Sequence, residues 1–278
     1  MSDVSQGLMA PARDVFSTAQ ASPTGKAPMR QLLLDLGSPA VPGLDAFVTA
    51  GLPQNEALLA WLSAWPAVEG PLSPAYIWGA PGAGKTHLLR AMVERALGLG
   101  FGVIWLNAQT CQMWDAAHQG APTLALLDDC DRLDADGQHL AFKLFIESAA
   151  AVASREAGAG GSSESTEGAE LFILAAGRLP VVDLPVRDDL RTRLGWGLSF
   201  ALQPLGEEGV REVLMQAAQR RGMALSDEVL AYLLSRHDRD LGSLMTLLDR
   251  LDAYALSEHR LVTIPLLKQM LASESSQP

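Results

Sequence analysis

The chain has 278 residues, 48% of them hydrophobic and 19% charged, with a formal net charge of −11. That is enough for one sizeable core with a small satellite domain; an acidic chain with no Lys- or Arg-rich run is not drawn to DNA by its overall field. Cys111 and Cys130 form no CxxC pair, which argues against a zinc or redox motif and suits packing residues in a reducing compartment.

No run of about 18 uncharged apolar residues occurs, so no transmembrane helix is expected. The N-terminus lacks the apolar stretch of a signal peptide, and the expected location is the cytoplasm. Met1–Pro28 is rich in Ser, Ala, Pro and Gly without a sustained period and reads as a disordered extension, with Met29 as an alternative start. Residues 29–43 read as a binding segment and linker. There Gln31-Leu32-Leu33-Leu34-Asp35-Leu36 sets a glutamine before leucines at alternate positions, the form of a short linear motif that docks extended into an apolar pocket. An edge strand of the core is the alternative.

Residues 44–203 read as the main domain. Asn55–Trp65 has helical spacing through Leu58, Leu59, Leu62 and Trp65. Tyr76–Trp78 is a short apolar run before a glycine-rich turn, and Thr86–Leu97 reads as a helix. Gly102–Leu106 and Thr123–Leu127 read as strands, Gln138–Ala150 as a helix, and Leu171–Ala175 as another buried strand. Apolar strands alternating with helices predict an α/β fold: a parallel sheet covered on both faces, in three layers. Arg155–Glu170 is long, polar and rich in Gly and Ser, and reads as a flexible surface insertion. From residue 204 the pattern changes. Glu207–Arg220, Asp227–Arg236, Leu241–Leu256 and Pro265–Ala272 are all helical with no strand between them, predicting a small helical domain over 204–278 and leaving no room for another after it.

Gly79-Ala80-Pro81-Gly82-Ala83-Gly84-Lys85-Thr86 fits G-x-x-x-x-G-K-[ST] in full and lies between a strand and a helix, the context that motif requires. Its backbone N–H groups and the helix N-terminus suit phosphate. Lys85 is expected to reach the β- and γ-phosphates of ATP or ADP and Thr86 to hold Mg²⁺, with His87 continuing the nucleotide-binding stretch. Downstream, the apolar strand Leu124–Leu127 ends in Asp128-Asp129. Adjacent carboxylates at a buried strand end are costly without a cation. Asp128 is therefore assigned to Mg²⁺ and Asp129 to orienting the attacking water, while Asp131 is read as solvated.

These features together resemble the AAA+ ATPases, and within them the DnaA-related group, whose acidic strand also ends Asp-Asp. Leu190-Arg191-Thr192-Arg193-Leu194-Gly195-Trp196-Gly197-Leu198 resembles that group's arginine-finger segment, which implies that Arg193 projects toward nucleotide on a neighbouring subunit. Arg239-Asp240-Leu241 resembles sensor 2, implying phosphate contact by Arg239 from the helical lid. The Q-L-x-L-x-L pattern of Gln31, Leu32, Leu34 and Leu36, a lid spanning His237 to Lys268, and the expected lack of a DNA-binding domain narrow the resemblance to the Hda family.

That resemblance implies a negative regulator of replication initiation. ADP-bound and tethered by Gln31–Leu36 to the sliding clamp of DNA polymerase III, it stimulates hydrolysis of DnaA-bound ATP. The implied partners are DnaA and the clamp, a homo-oligomer is possible, DNA is met only through the clamp, and no membrane is involved. An independent ATPase such as a DnaA-related helicase loader is the alternative.

Two departures bear on the chain's own chemistry. Gly177 falls where the family's sensor 1 places a polar residue, and Asp129 is one methylene shorter than the usual Glu, so weak hydrolysis by the chain itself is expected. Phe47 to Asn55 resembles the adenine-side linker, with no contact assigned. The histidines are read as structural or exposed, and the six tryptophans as core. Arg191 is read as an ion-pair partner of Asp188 or Asp189, and Arg132 and Arg178 as interface or structural residues.

Overall fold

The computed structural model describes residues 13–14, 43–66, 74–114, 120–158, 170–236 and 241–274. Seven strands form one sheet: β1 (Arg13–Asp14), β2 (Ala75–Trp78), β3 (Gly102–Leu106), β4 (Cys111–Trp114), β5 (Thr123–Leu127), β6 (Leu171–Gly177) and β7 (Leu198–Ala201), in the order β1-β4-β3-β5-β6-β2-β7. The five from β3 to β7 in that order are mutually parallel, as expected.

Side chains alternate between the two faces, as the strand period requires. Ala75 and Ile77, Leu124 and Leu126, and Phe172 and Leu174 pack with α1 (Pro53–Ala64) and α2 (Lys85–Gly98). Tyr76, Ala125, Leu127 and Ile173 pack with α3 (Ala135–Gly158) and α4 (Asp188–Leu194) on the other face. This is the three-layer α/β core. Behind it, α5 (Glu207–Arg220), α6 (Asp227–Arg236), α7 (Leu241–Glu258) and α8 (Ile264–Glu274) enclose a separate apolar core that includes Leu214, Leu230, Leu248 and Leu266.

Asn55 joins the two parts. It is 1% exposed, its Nδ2 donates to the Gln203 carbonyl at 3.0 Å, and its Oδ1 accepts from the Gln203 N–H at 2.9 Å. A side-chain amide thus takes up both main-chain groups where the chain leaves β7 for the helical part.

The structure departs from the sequence reading in places. The sheet is not wholly parallel: β4 runs antiparallel to β3. Asn107 causes this, because its Oδ1 accepts the N–H groups of Gln109 and Thr110, both at 2.9 Å, and folds the chain back in a tight turn. Within the extension read as disordered, Arg13–Asp14 pairs antiparallel with β4. Helix α3 continues to Gly158, past the expected start of the insertion at Arg155. β7 and α4 were not anticipated. β7 is a partly exposed edge strand without a continuous apolar run, and α4 has only seven residues.

Candidate nucleotide site and arginine face

The phosphate loop leaves β2 at Gly79, whose N–H donates to the Gly177 carbonyl at 3.3 Å. Gly84 adopts φ +102°, a left-handed conformation that glycine reaches without strain, and a Cβ there would also stand 3.1 Å from Phe47 Cε2. Lys85 opens α2 and is 6% exposed; its Nζ donates to the carbonyls of Gly79 (2.8 Å) and Ala80 (2.9 Å). Burial lowers its proton affinity, against the opposing pull of Asp129 and Asp128. The ammonium therefore sits in a desolvated cradle satisfied only by neutral carbonyls, where an anionic phosphate would be a better partner.

Thr86 Oγ1 lies 3.0 and 3.1 Å from the two carboxylate oxygens of Asp128, donating its one proton to either. Burial raises the Asp128 pKa, and the hydrogen bond from Thr86 opposes the rise. The fold thus brings together a hydroxyl and a carboxylate separated by 42 positions. Among the described residues no group of three or more His, Cys, Asp or Glu forms a metal cage. Mg²⁺ does not need one: it commonly takes one or two protein oxygens and completes its shell with phosphate and water. The donor set fits the ion, with Thr86 and Asp128 as the residues that would hold it.

Asp129 adopts φ +47° in a left-handed turn, and its half-exposed carboxylate lies 3.8 Å from Arg132 Nη1. His87 is shifted downward by burial and then by the fields of Arg220 on α5 and Arg90, and its ring stands 6.0 Å from that of Phe47. Asp131, read as solvated, is instead enclosed: its side chain has no solvent exposure. Its Oδ1 accepts the Arg178 N–H at 3.2 Å and its Oδ2 accepts Arg178 Nε at 2.5 Å.

Glycine at position 177 has a steric cause. A Cβ on Gly177 would lie 2.4 Å from Tyr76 Oη, 3.2 Å from Cys130 Sγ and 3.3 Å from Asp131 Oδ1. Tyr76 is fully buried, and its hydroxyl donates to the Leu179 carbonyl at 2.6 Å. The phenol fills the space a sensor side chain would occupy. Burial pushes its pKa strongly up, and burial followed by the nearby Asp131 pushes the Cys130 thiol up to about 12.

Helix α4 and its N-cap carry three arginines, on the same face of the sheet as Tyr76. Arg187 pairs with Asp189 at 2.6 Å, and Arg191 pairs with Asp188, as read from the sequence. Arg193 has no carboxylate partner among the described residues; its guanidinium lies 4.1 Å from the centroid of the Trp196 ring and 6.0 Å from that of Phe142. Trp196 is 63% exposed, so the reading of every tryptophan as core fails here.

Residues 207–271 match the family described as Hda, lid domain. The chain is 33% identical over 201 residues to an uncharacterized protein of Haemophilus influenzae, covering 70% of this chain and 80% of that one. The chain belongs to the Hda family. Its fold is that of AAA+ proteins. Domain III of the Thermotoga maritima replication initiation protein DnaA superposes with a TM-score of 0.57 at 18% identity, covering 84% of this chain and 97% of that one. A Thermotoga maritima RuvB mutant superposes at 0.56 and 14% identity, covering 83% and 71%. NtrX from Brucella abortus, solved with ADP, superposes at 0.50 and 18%, covering 79% and 55%.

The Hda-family lid match spans α5 to α8 apart from the last residues of α8. Arg239, and the segment with Gln31, Leu32, Leu34 and Leu36, lie outside the described residues. No helix among the described residues is long and apolar enough to cross a membrane. Sequence reasoning missed Phe47 against the loop, Asn55 at the junction, and Tyr76 and Asp131 beside the sensor glycine. Only Tyr76 carried a signal, as a lone polar atom inside an apolar strand.

Proposed function

We propose that this chain is a negative regulator of DNA replication initiation that acts on DnaA. Holding ADP and Mg²⁺ at its own phosphate loop, and tethered to the sliding clamp through Gln31–Leu36, it presents Arg193 to ATP bound by DnaA and stimulates hydrolysis. DnaA is left in its ADP form. Membership of the Hda family supports the partner, and the Lys85, Thr86 and Asp128 geometry supports the nucleotide.

The observation that carries this reading is the state of Arg193. A finger must offer its N–H groups to a phosphate. Arg187 and Arg191 have committed donors to Asp189 and Asp188. Stacking on an aromatic face holds a guanidinium without using its hydrogen-bond donors, and that is how Arg193 is held by Trp196. In comparable systems a finger beside the γ-phosphate is worth about 10³–10⁵ in rate. Clamp tethering raises local concentration, so weak direct contacts with DnaA suffice.

The test is phosphate release from ATP-loaded DnaA, with DNA-loaded clamp and this chain preloaded with ADP. Acceleration is expected to need the clamp, and to vanish in Arg193→Ala while clamp binding persists. Unchanged stimulation by Arg193→Ala removes the finger assignment. ATP turnover by the chain alone, with no effect on DnaA, selects the independent ATPase instead.

A further inference from the structure

The exit of β6 places a cation at the mouth of the phosphate loop that neither sensor accounts for. Gly177 pairs in register with Trp78, the last residue of β2, and its carbonyl accepts the N–H of Gly79, the first residue of the loop. The residue that follows is Arg178, so its backbone is fixed against the start of the loop. Two residues after Asp129, Asp131 binds Arg178 twice, through the main-chain N–H and through Nε.

A carboxylate without solvent exposure is costly unless paired, and this one is spent entirely on orienting an arginine that is itself 42% exposed. Engagement of Nε leaves the terminal Nη groups with no other hydrogen bond among the described residues. The hydrogen bond and charge of Asp131 are the main support of the Arg178 charge, and the guanidinium adds a lesser field at Lys85, whose proton affinity burial lowers first.

We propose that Arg178, positioned by the buried carboxylate of Asp131, reads the terminal phosphate of the nucleotide in this chain's own site, in the role that Gly177 leaves vacant. Tyr76 Oη and Cys130 Sγ fill the space at Gly177, so a polar side chain has no place there. A long side chain one residue on reaches past the obstruction. With a nucleoside diphosphate, Arg178 stays on Asp131. With a triphosphate, its free Nη donors are shared with the added phosphate, a bidentate geometry suited to guanidinium. The chain thereby distinguishes its own two nucleotide states.

This inference rests on the reading of Gly79–Thr86 as a nucleotide site. The test is calorimetric titration of the full chain with Mg²⁺-ADP and with a non-hydrolysable Mg²⁺-ATP analogue, on wild type, Arg178→Ala, Arg178→Lys and Asp131→Asn, each checked for an unchanged thermal midpoint. Loss of a charge-assisted hydrogen bond predicts a roughly 10- to 100-fold weaker triphosphate affinity in Arg178→Ala, with diphosphate affinity within about threefold. Arg178→Lys is expected to recover part of the loss, and remains informative where Asp131→Asn unfolds. Equal weakening of both nucleotides, or no weakening, overturns the proposal while leaving the nucleotide site in place. A wild-type chain that binds neither nucleotide overturns the site itself and the proposal with it.

Discussion

Placing a side chain at Gly177 tests directly why the sensor position is empty. In Gly177→Ala the new Cβ would stand 2.4 Å from Tyr76 Oη, where ordinary contact begins at 3.4 Å, an overlap of about 1 Å. The phenol cannot withdraw freely, because it is fully buried and donates to the Leu179 carbonyl at 2.6 Å. Overpacking costs about 1–3 kcal/mol. Stranding a buried hydroxyl adds about 1–3 kcal/mol. The expected loss is the sum, about 2–6 kcal/mol, or roughly 5–20 °C in midpoint for a chain of this size. Urea unfolding followed by circular dichroism measures it.

Tyr76→Phe should cost only about 1 kcal/mol, for the Leu179 carbonyl left behind, and should make room for the methyl group. Gly177→Ala in that background is then expected to be milder by at least about 1 kcal/mol, the coupling that a double-mutant cycle reads. A Gly177→Ala variant within about 0.5 kcal/mol of wild type would refute the reasoning, as would strict additivity in the double variant.

Asn55→Ala strands the N–H and C=O of Gln203 at the junction with the helical part and is expected to cost about 1–3 kcal/mol in urea unfolding; no loss would mean that water replaces the amide. The Cys130 thiol, with its pKa pushed up to about 12 and no solvent exposure, and the buried Cys111 should both resist Ellman's reagent at pH 8 in the native chain. Two thiols should react after denaturation, and fast native labelling would contradict the packing. Trp196→Ala removes the aromatic face beneath Arg193 and should lower the maximal stimulation of DnaA hydrolysis by about 2- to 5-fold, the worth of an exposed cation–π contact. Trp196→Phe should retain most of the activity, and loss confined to half-saturation would make Trp196 a docking residue instead.

What was legible in the sequence is what the chain states contiguously. Gly79–Thr86 matches the phosphate-loop pattern within eight positions, and the apolar runs of β3, β5 and β6 mark a buried sheet without ambiguity. The pairing of Thr86 with Asp128 was also legible, because Asp128 follows β5 and Thr86 lies in the first turn of α2 after the loop from β2, and a parallel sheet brings those strand exits to one edge. The surroundings of Gly177 were not. They draw Tyr76 from β2, Cys130 and Asp131 from the turn after β5, and Arg178 from beyond β6, and no local pattern announces that three segments converge. Asp131 looked solvated because its sequence neighbours are charged, yet its carboxylate faces inward to a cation 47 positions away. β4 was missed for a related reason: the turn that creates it depends on one side-chain oxygen of Asn107.

The phosphate loop and the α4 arginines bear on the proposed role in opposite ways. At Gly79–Thr86 the groups proposed to bind nucleotide are in place, while the space beside Gly177 is filled by the Tyr76 phenol. On the α4 face, a guanidinium is held with its donors uncommitted beside an exposed indole. On the proposed reading, the chain holds nucleotide at its own loop and presents a cation outward to complete a partner's active site. Trp196 sharpens the point, because a large exposed apolar ring beside a charge is tolerated at a surface that another protein covers.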